Sequence, residues 1–213
     1  MASRRQMEGE SAHLVSPTRR VNMAKVTVCS CSLEETVSGL IQYIQHNLSD
    51  VVEKVKFRSL PYNISDIDKF VFGGIDVLLL CHSIDNRRFS ITDVTDALYD
   101  RFLPRAKKYL GKCKIGVIAH DFSEDYLKDY KMSNFRSKQP TTFKCASLVL
   151  TGGQLSRDQV ELTEKQLDDV RQFFLASHPS RLERFQAMLR RTCRCLSNHD
   201  DDGDENNDDD DML

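Results

Sequence analysis

Hydrophobic residues are concentrated in five short runs that alternate with amphipathic segments along the chain. We predict these runs to be β-strands, and they cover residues 25–30, 51–60, 75–81, 114–119 and 143–150. The third run, I-D-V-L-L-L-C, is almost continuously apolar, which is typical of a strand buried on both faces of a sheet. The alternation of strand-like and helix-like segments predicts an α/β fold with a mostly parallel sheet.

Apolar residues at helical spacing predict the connecting helices. The strongest pattern follows the first strand and places one apolar stripe on a helix, formed by Leu33, Val37, Leu40, Ile41, Ile44 and Leu48. We predict capping boxes ahead of this helix and ahead of a later one, at residues 32–35 and 156–159, and we predict that residues 180–183 cap the last helix. We also predict one short helix between 121 and 140, and helices over residues 66–72, 92–110 with an interruption at Pro104, 160–174 and 181–196.

The element order predicts a three-layer α/β domain with helices on both faces of a five-stranded sheet and a C-terminal amphipathic helix. Right-handed crossovers favour the flavodoxin-like strand order 2-1-3-4-5. The predicted organisation is a disordered basic leader, the α/β domain, a basic amphipathic helix and a disordered acidic tail, over residues 1–24, 25–178, 179–198 and 199–213.

Composition is that of an ordinary globular protein: 213 residues, 40% of them hydrophobic and 29% charged. No window approaches eighteen consecutive apolar residues, so we expect no transmembrane segment. The first ten residues have no apolar core of the secretory type. We therefore expect a cytoplasmic location, with the nucleus as an additional one.

The net charge of −2 conceals a strong asymmetry. Nine acids fall within residues 200–211, which leaves 23 acids against 30 bases in residues 1–199, a net charge of +7. The predicted last helix combines an apolar stripe with a cationic face, formed by Arg181, Arg184, Arg190, Arg191 and Arg194. The cationic face suits an acidic protein or an anionic surface, and the acidic segment is a candidate to mask it.

Seven cysteines are present, and the odd number without a secretory signal makes a disulfide framework unexpected. Cys29, Cys81 and Cys145 lie in strand-like apolar runs, where cysteine behaves as a small hydrophobic residue. The two C-x-C pairs lack the usual spacing of zinc ligands. We predict no metal site and no cofactor.

Polar side chains gather where the predicted strands end. Because ligands of doubly wound sheets bind at the carboxyl ends of the strands, this edge is the candidate site. The candidate ligand-binding residues are Ser30, Ser32, Ser83, Arg87, Arg88, Thr151 and Gly152. The candidate acid–base residues are His82, His120 and Asp121. A structural interpretation competes with the functional one for each, since such residues also cap turns and strand ends.

Several chemistries lack their motifs. The sequence after the first strand, C-S-C-S-L-E, has no glycines for a dinucleotide pyrophosphate, and no P-loop occurs. Zinc deaminase motifs are also absent. A flavin site is disfavoured because Glu34 and Glu35 follow the first strand and the chain has no Trp.

The segment Leu80-Cys81-His82-Ser83 resembles the histidine segment of caspase-like peptidases, which share this topology. Their nucleophilic cysteine follows the fourth strand, where this chain has His120 and Asp121. Without a thiolate beside the histidine there is no activated nucleophile, so the resemblance implies the topology and not the activity. The layout is also similar to TIR-type and receiver-type signalling domains, although the receiver acidic cluster and lysine are missing.

Two further features concern regulation and partners. Arg87-Arg88-Phe89-Ser90 resembles a basophilic kinase site, which makes Ser90 a candidate phosphorylation site. A second basic group comprises Arg101, Arg105, Lys107, Lys108, Lys112 and Lys114. No interleaved aromatic residues or recognised module accompany it, so we do not expect nucleic-acid binding.

The sequence favours a non-catalytic module of signalling or adaptor type that binds proteins and is regulated by its charged ends. The alternative is a small-molecule or anion-binding protein, including an enzyme that uses histidine acid–base chemistry at the sheet edge. The absence of nucleotide, metal and cysteine-peptidase motifs favours the non-catalytic interpretation.

Overall fold

The structure is a computed structural model that describes residues 23–85, 91–95, 97–129, 132–156 and 160–177. Five predictions fall outside the described residues: the basic leader, the loop residues Arg87 and Arg88, the phosphorylation candidate Ser90, the arginine-rich helix from Arg181 to Arg194 with its cap at residues 180–183, and the acidic tail.

Five parallel strands form one sheet in the order β2-β1-β3-β4-β5. The strands are β1 Ala24–Ser30, β2 Val52–Ser59, β3 Val77–Ser83, β4 Ile115–His120 and β5 Leu148–Thr151. Every pair of neighbouring strands is parallel, so the predicted fold and strand order are confirmed. The central strands β3 and β4 are buried along their whole length, as the continuous apolar pattern of the third run indicates.

Helices of very different length connect the strands. The α-helices are α1 Ser38–Asn47, α2 Ile64–Ile67, α3 Phe102–Leu110, α4 Glu124–Asp129, α5 Met132–Lys138, α6 Pro140–Cys145 and α7 Glu164–Ser177. Short 3₁₀ turns cover Glu34–Val37 and Lys112–Lys114.

The sheet divides the hydrophobic core into two layers, because successive side chains of a strand point to opposite faces. Val26, Leu79 and Ile118 pack with α1 and α7 on one face. Leu80 and Val117 pack on the other face with an aromatic cluster from α3 and the segment after α2, which includes Phe70, Phe72, Tyr99 and Phe102. This two-sided burial orders the strand ends on which the candidate site is built.

The predicted helix over residues 92–110 begins only at Phe102. Asp93 has a φ of 64°, which is incompatible with a right-handed helix. Its carboxylate accepts hydrogen bonds from the backbone N–H and hydroxyl of Thr141, at 2.8 and 2.6 Å, and so binds the first turn of α6. Pro104 lies in the first turn of α3, where its missing N–H costs nothing, and therefore does not interrupt the helix.

The fifth strand is shorter than the predicted 143–150. Phe143 and Cys145 belong to α6, which starts at Pro140, and β5 starts at Leu148. Pro140 occupies the first position of α6, and the Asp93 carboxylate accepts a hydrogen bond from the next amide, that of Thr141. Both features favour a helix over an extended strand at this point. Two short helices, α4 and α5, lie in the described part of the stretch between 121 and 140, where a single one was predicted.

The first predicted capping box does not form, and the second includes residues 157–159, which lie outside the described residues. The N-cap residues of the first 3₁₀ turn and of α1 are Leu33 and Val37, and neither caps through its side chain. Leu33 is 75% exposed and so leaves the predicted stripe, whose other members are buried. At the start of α7 a capping box forms seven residues further along the chain than the second predicted box: the Thr163 amide donates to Gln166 Oε1 at 2.9 Å, and the Gln166 amide donates to Thr163 Oγ1 at 3.3 Å.

The predicted helix over 66–72 is a single turn, α2, and Asn63 caps it by accepting a hydrogen bond from the Asp66 amide at 2.8 Å. An Asn cap with this geometry satisfies one of the free amides of the first turn. Arg105 binds the carbonyl groups that follow this turn, including that of Phe70 at 3.0 Å. The segment is therefore fixed to α3 rather than extended as a longer helix.

Candidate functional site

The parallel sheet brings the predicted polar residues to one edge. Ser83 and His120 are register partners at the ends of β3 and β4, and Ser30 ends the neighbouring strand β1. His82 precedes Ser83 and its side chain faces the opposite side of the sheet, where its ring meets Tyr99 edge-on at a centroid distance of 5.5 Å. Ser30, His82, Ser83 and His120 are all buried.

Ser83, His120 and Asp121 form a polar cluster across the ends of β3 and β4. The Ser83 hydroxyl donates a short hydrogen bond to Asp121 Oδ2. His120 Nδ1 lies 3.1 Å from the same carboxylate oxygen, but the ring N–H does not meet hydrogen-bond geometry. Among the described residues no group hydrogen-bonds either ring nitrogen of His120, although the side chain is fully buried. Aspartate therefore stands between serine and histidine, which is not the order of a serine-nucleophile triad.

Asp121 is held in an unusual conformation at the centre of this cluster. Its φ is 70°, in the left-handed region that Asp tolerates better than most residues. Its amide donates to the Gly153 carbonyl at 2.9 Å, which fixes the turn after β4. Burial raises the pKa of the carboxyl, but the adjacent His120 imidazole and the Ser83 hydroxyl outweigh burial and hold the pKa below the ordinary 3.8.

A small cleft opens between the ends of β1 and β3, where the strand order reverses. It is lined by Ser30, Cys31, Ser32, Tyr62, His82, Ser83, Leu98 and Tyr99. Its cavity volume is about 10 Å³, far below the roughly 300 Å³ at which small-molecule pockets begin. Four predicted site residues thus share the cleft, whereas His120 and Asp121 do not line it.

Cysteine and tyrosine side chains form the floor of this cleft. The Tyr99 hydroxyl donates to Cys31 Sγ at 3.3 Å, and the Cys31 thiol donates to the Pro61 carbonyl at 3.4 Å. Burial, reinforced by Cys31, raises the pKa of Tyr99 well above 10. Burial also raises the pKa of Cys29 to about 12 and that of Cys81 further still. Cys29 and Cys81 are therefore inert as nucleophiles.

The loop after β5 covers the start of α1. The Leu155 carbonyl accepts hydrogen bonds from the amides of Gly39 and Leu40, at 3.0 and 3.2 Å. These are amides of the first turn of α1, which in doubly wound folds are available to an anionic ligand. Here the chain itself occupies them.

Thr151 and Gly152 continue into this covering loop. The Gly152 amide donates to the Ala119 carbonyl at 2.9 Å, and a Cβ on Gly152 would lie 2.5 Å from a Leu162 methyl group. The Thr151 carbonyl accepts from Gln166 Nε2 at 2.7 Å. The glycine therefore permits close packing within the loop.

Sequence reasoning missed Tyr62, Leu98, Tyr99 and Leu155 as parts of this edge. Tyr99 comes from a turn that was predicted to be helical, so its direction could not be inferred. Gly39 was the available signal for the covering loop, because a glycine in the first turn of a helix often marks a close backbone approach.

The described residues contain no group of three or more His, Cys, Asp and Glu side chains that could hold a metal ion. No helix among them is long and apolar enough to cross a bilayer. No family model, no curated protein and no solved structure matches the chain.

Proposed function

We propose that this protein is a non-catalytic α/β module of signalling or adaptor type, which binds other proteins and is regulated by its charged terminal segments. The observation that carries the proposal is the closure of the carboxyl edge by the loop after β5. The Leu155 carbonyl takes the amides of α1 that would hold an anion. The cleft between the ends of β1 and β3 is too small for a ligand, so the outer surface is the part of the molecule left for binding.

The remaining polar groups of the edge are poorly suited to catalysis. The Asp121 carboxylate binds the Ser83 hydroxyl, and its lowered pKa makes it a weak general base at neutral pH. The nearby cleft has a cavity volume of about 10 Å³ and leaves no room for a substrate. These features support binding over turnover.

A second candidate function, binding of a small molecule or anion with histidine acid–base chemistry, is favoured by one observation. His120 is fully buried, and neither ring nitrogen has a hydrogen-bond partner among the described residues. An imidazole next to Ser83 and Asp121 whose two ring nitrogens make no hydrogen bond to the described residues has hydrogen-bonding capacity left for a ligand that reaches it.

A ligand screen on the full chain separates the two candidates. The panel comprises nucleotides, flavins, sugar phosphates and small organic acids, and the readout is the thermal midpoint. The non-catalytic module predicts no ligand-dependent shift. A ligand whose shift disappears in Ser83→Ala but persists in the exposed control Ser49→Ala would establish the second function instead.

A partner-capture experiment tests whether protein binding is independent of the histidines at the carboxyl edge. Wild type and the double variant His82→Asn with His120→Asn are compared for the proteins that they retain, after circular dichroism has shown that the variant is folded. We expect the same retained proteins, because the partner binds the outer surface. Loss of all retained proteins from a folded double variant would contradict the proposal.

A further inference from the structure

A shallow groove runs along the outer edge of β5, between α6 and α7. We call it the β5 groove; its lining includes Lys112, Arg136, Phe143, Val149, Phe173 and Ala176. Among the described residues β5 pairs only with β4, so no strand covers its outer side. The residues that line the groove include none of the predicted site residues.

The two edges of the sheet differ in charge. The edge strand β2 carries Glu53, Lys54, Lys56 and Arg58, and such charges discourage pairing with another chain. The edge strand β5, L-V-L-T, carries no charge. The charged side chains near β5 belong to other segments that line the groove, and they include Lys112, Arg136 and Asp169.

Two cations line the groove, Lys112 and Arg136, and two more, Lys107 and Lys144, lie on α3 and α6. Within the described residues no carboxylate lies at ion-pair distance from Lys107, Lys112, Arg136 or Lys144. Other members of the basic group predicted from the sequence are neutralised: Arg101 pairs with Asp68 at 3.1 Å, and Lys114 pairs with Asp76 at 2.7 Å.

Lys112 and Arg136 line the groove itself, and the Arg136 guanidinium lies 4.5 Å above the Phe143 ring. Lys107 and Lys144 do not line the groove, but they lie near the buried thiol of Cys145, as Lys112 does. Burial raises the pKa of Cys145, the positive charges of these three lysines act in the opposite direction, and the carboxylate of Asp93 raises it further, so one acid accompanies the three cations there. The one acid of the groove, Asp169, already faces Lys165 at 3.7 Å.

The chain supplies a segment of complementary charge. α7 ends at Ser177, directly after the groove residue Ala176, and 22 residues separate it from Asp200. An extended chain of that length reaches roughly 70 Å, whereas a domain of this size is about 40 Å across. Nine carboxylates then follow within residues 200–211.

We propose that the acidic segment 200–211 binds intramolecularly to the β5 groove, with its carboxylates on Lys107, Lys112, Arg136 and Lys144. Tethering gives such a segment an effective concentration in the millimolar range, so weak individual ion pairs suffice. The contact weakens as salt screens it.

The contact also implies a way in which the binding of a protein partner is regulated, and this part of the inference rests on the proposed function. A protein partner that uses the β5 groove has to displace the acidic segment, so an acidic partner competes directly with it. The contact itself is independent of that function and is measured separately, by the experiment below.

Carbodiimide cross-linking of the full chain tests the contact. The reagent joins a carboxylate to a lysine amine in contact, and peptide mass spectrometry locates the link. At low salt we expect links from segment 200–211 to Lys107, Lys112 and Lys144, and their loss at high salt. Lys54 and Lys56 are the matched control, because they are exposed lysines without an ion pair among the described residues, on the opposite edge of the sheet.

Three results would overturn the proposal: links to Lys54 and Lys56 as frequent as links to the groove lysines, no links from the segment at all, or links found only in a covalent dimer that disappears on dilution. A second variant changes the nine acids to their amides in the full chain. Acetylation of Lys112 by an activated ester should then become faster, and that of Lys54 should not change. Equal rates for Lys112 in both chains would contradict the contact.

Discussion

Two residues determine how the carboxyl edge is closed. Gly39 lies in the first turn of α1, and its missing side chain lets the loop after β5 approach the helix. Asp121 adopts a left-handed conformation after β4 and binds Ser83 there. Both residues contact the loop after β5, Gly39 through Leu155 and Asp121 through Gly153, so changes in either should be measurable as changes in stability.

Replacing Gly39 with Ala should destabilise the protein, although the same change inside a helix normally stabilises it by about 1 kcal/mol. The added Cβ would lie 1.9 Å from the Ser156 carbonyl oxygen, so the loop has to move. We expect a loss of about 1–3 kcal/mol in the free energy of unfolding, measured by urea denaturation. Gly73→Ala is the control, because its Cβ would meet only a Val71 methyl group at 3.7 Å. A stabilised Gly39→Ala variant would contradict the close approach.

Replacing Asp121 with Asn should weaken the dependence of stability on acid pH. The pKa of Asp121 is lower in the folded chain than the ordinary 3.8, so the unfolded chain binds the proton more tightly. The stability contributed by the carboxylate is therefore present above about pH 4 and is lost as the pH falls through the folded-state pKa.

The measurement is the free energy of unfolding between neutral pH and pH 3. Asn tolerates the left-handed conformation and still accepts the Ser83 hydroxyl, so the variant should lose about 1–2 kcal/mol at neutral pH and less on acidification than wild type. Asp85→Asn, exposed in the neighbouring loop, is the control. An unchanged acid dependence in Asp121→Asn would show that Asp121 does not carry this effect.

At the level of secondary structure elements, capping decides where the helices begin. α7 uses Thr163 and Gln166, and Gln166 also donates to the Thr151 carbonyl, so the start of this helix is bound to the end of β5. α6 is capped from another part of the chain by Asp93. Both arrangements hold in place the two helices, α6 and α7, that lie on either side of the β5 groove.

Thr163→Ala should destabilise the protein by about 1 kcal/mol, the usual cost of an N-cap. Ser156→Ala is the matched control, because residues 156–159 have the same capping spacing, but residues 160–163 are not helical and α7 begins at Glu164. Thermal unfolding of both variants measures the difference. An effect of Ser156→Ala equal to that of Thr163→Ala would place the start of the helix at the earlier box.

At the level of the whole molecule, the distribution of charge is the main feature. Residues 1–199 carry a net charge of +7, and nine acids follow within residues 200–211. The described surface pairs several of its cations, for example Arg171 with Asp50, but leaves those around the β5 groove unpaired. An acidic segment tethered to a basic domain is expected to compete with any other polyanion for that domain.

Neutralising the nine acids to amides should therefore strengthen retention on a heparin column at low salt, measured as the sodium chloride concentration at elution. The reason is that the tethered carboxylates no longer compete for the cations. Adding Lys107→Gln and Lys112→Gln to the amide variant should lower retention again, whereas Lys54→Gln with Lys56→Gln should lower it less. Identical elution of wild type and the amide variant would exclude competition by the segment.

Sequence alone determined the class and order of the sheet, because periodicity and chain connectivity are local properties that parallel β-strands preserve. It also determined which polar residues reach the carboxyl edge, since every parallel strand ends there: Ser30, Ser83 and His120 follow directly from the strand positions. Ligand-binding and catalytic roles for these residues, and for Thr151 and Gly152, stay predictions.

Tertiary structure decided what fills that edge and where the helices begin. The Leu155 carbonyl on α1 and the Asp93 carboxylate on α6 join residues more than 40 positions apart in sequence, and no local pattern encodes such contacts. For the same reason, the prediction that the turn containing Tyr99 is helical was wrong. Long-range hydrogen bonds at Asp93 outweighed the local helix propensity. Local patterns specify elements, whereas the closing of a site depends on which distant backbone groups satisfy each other.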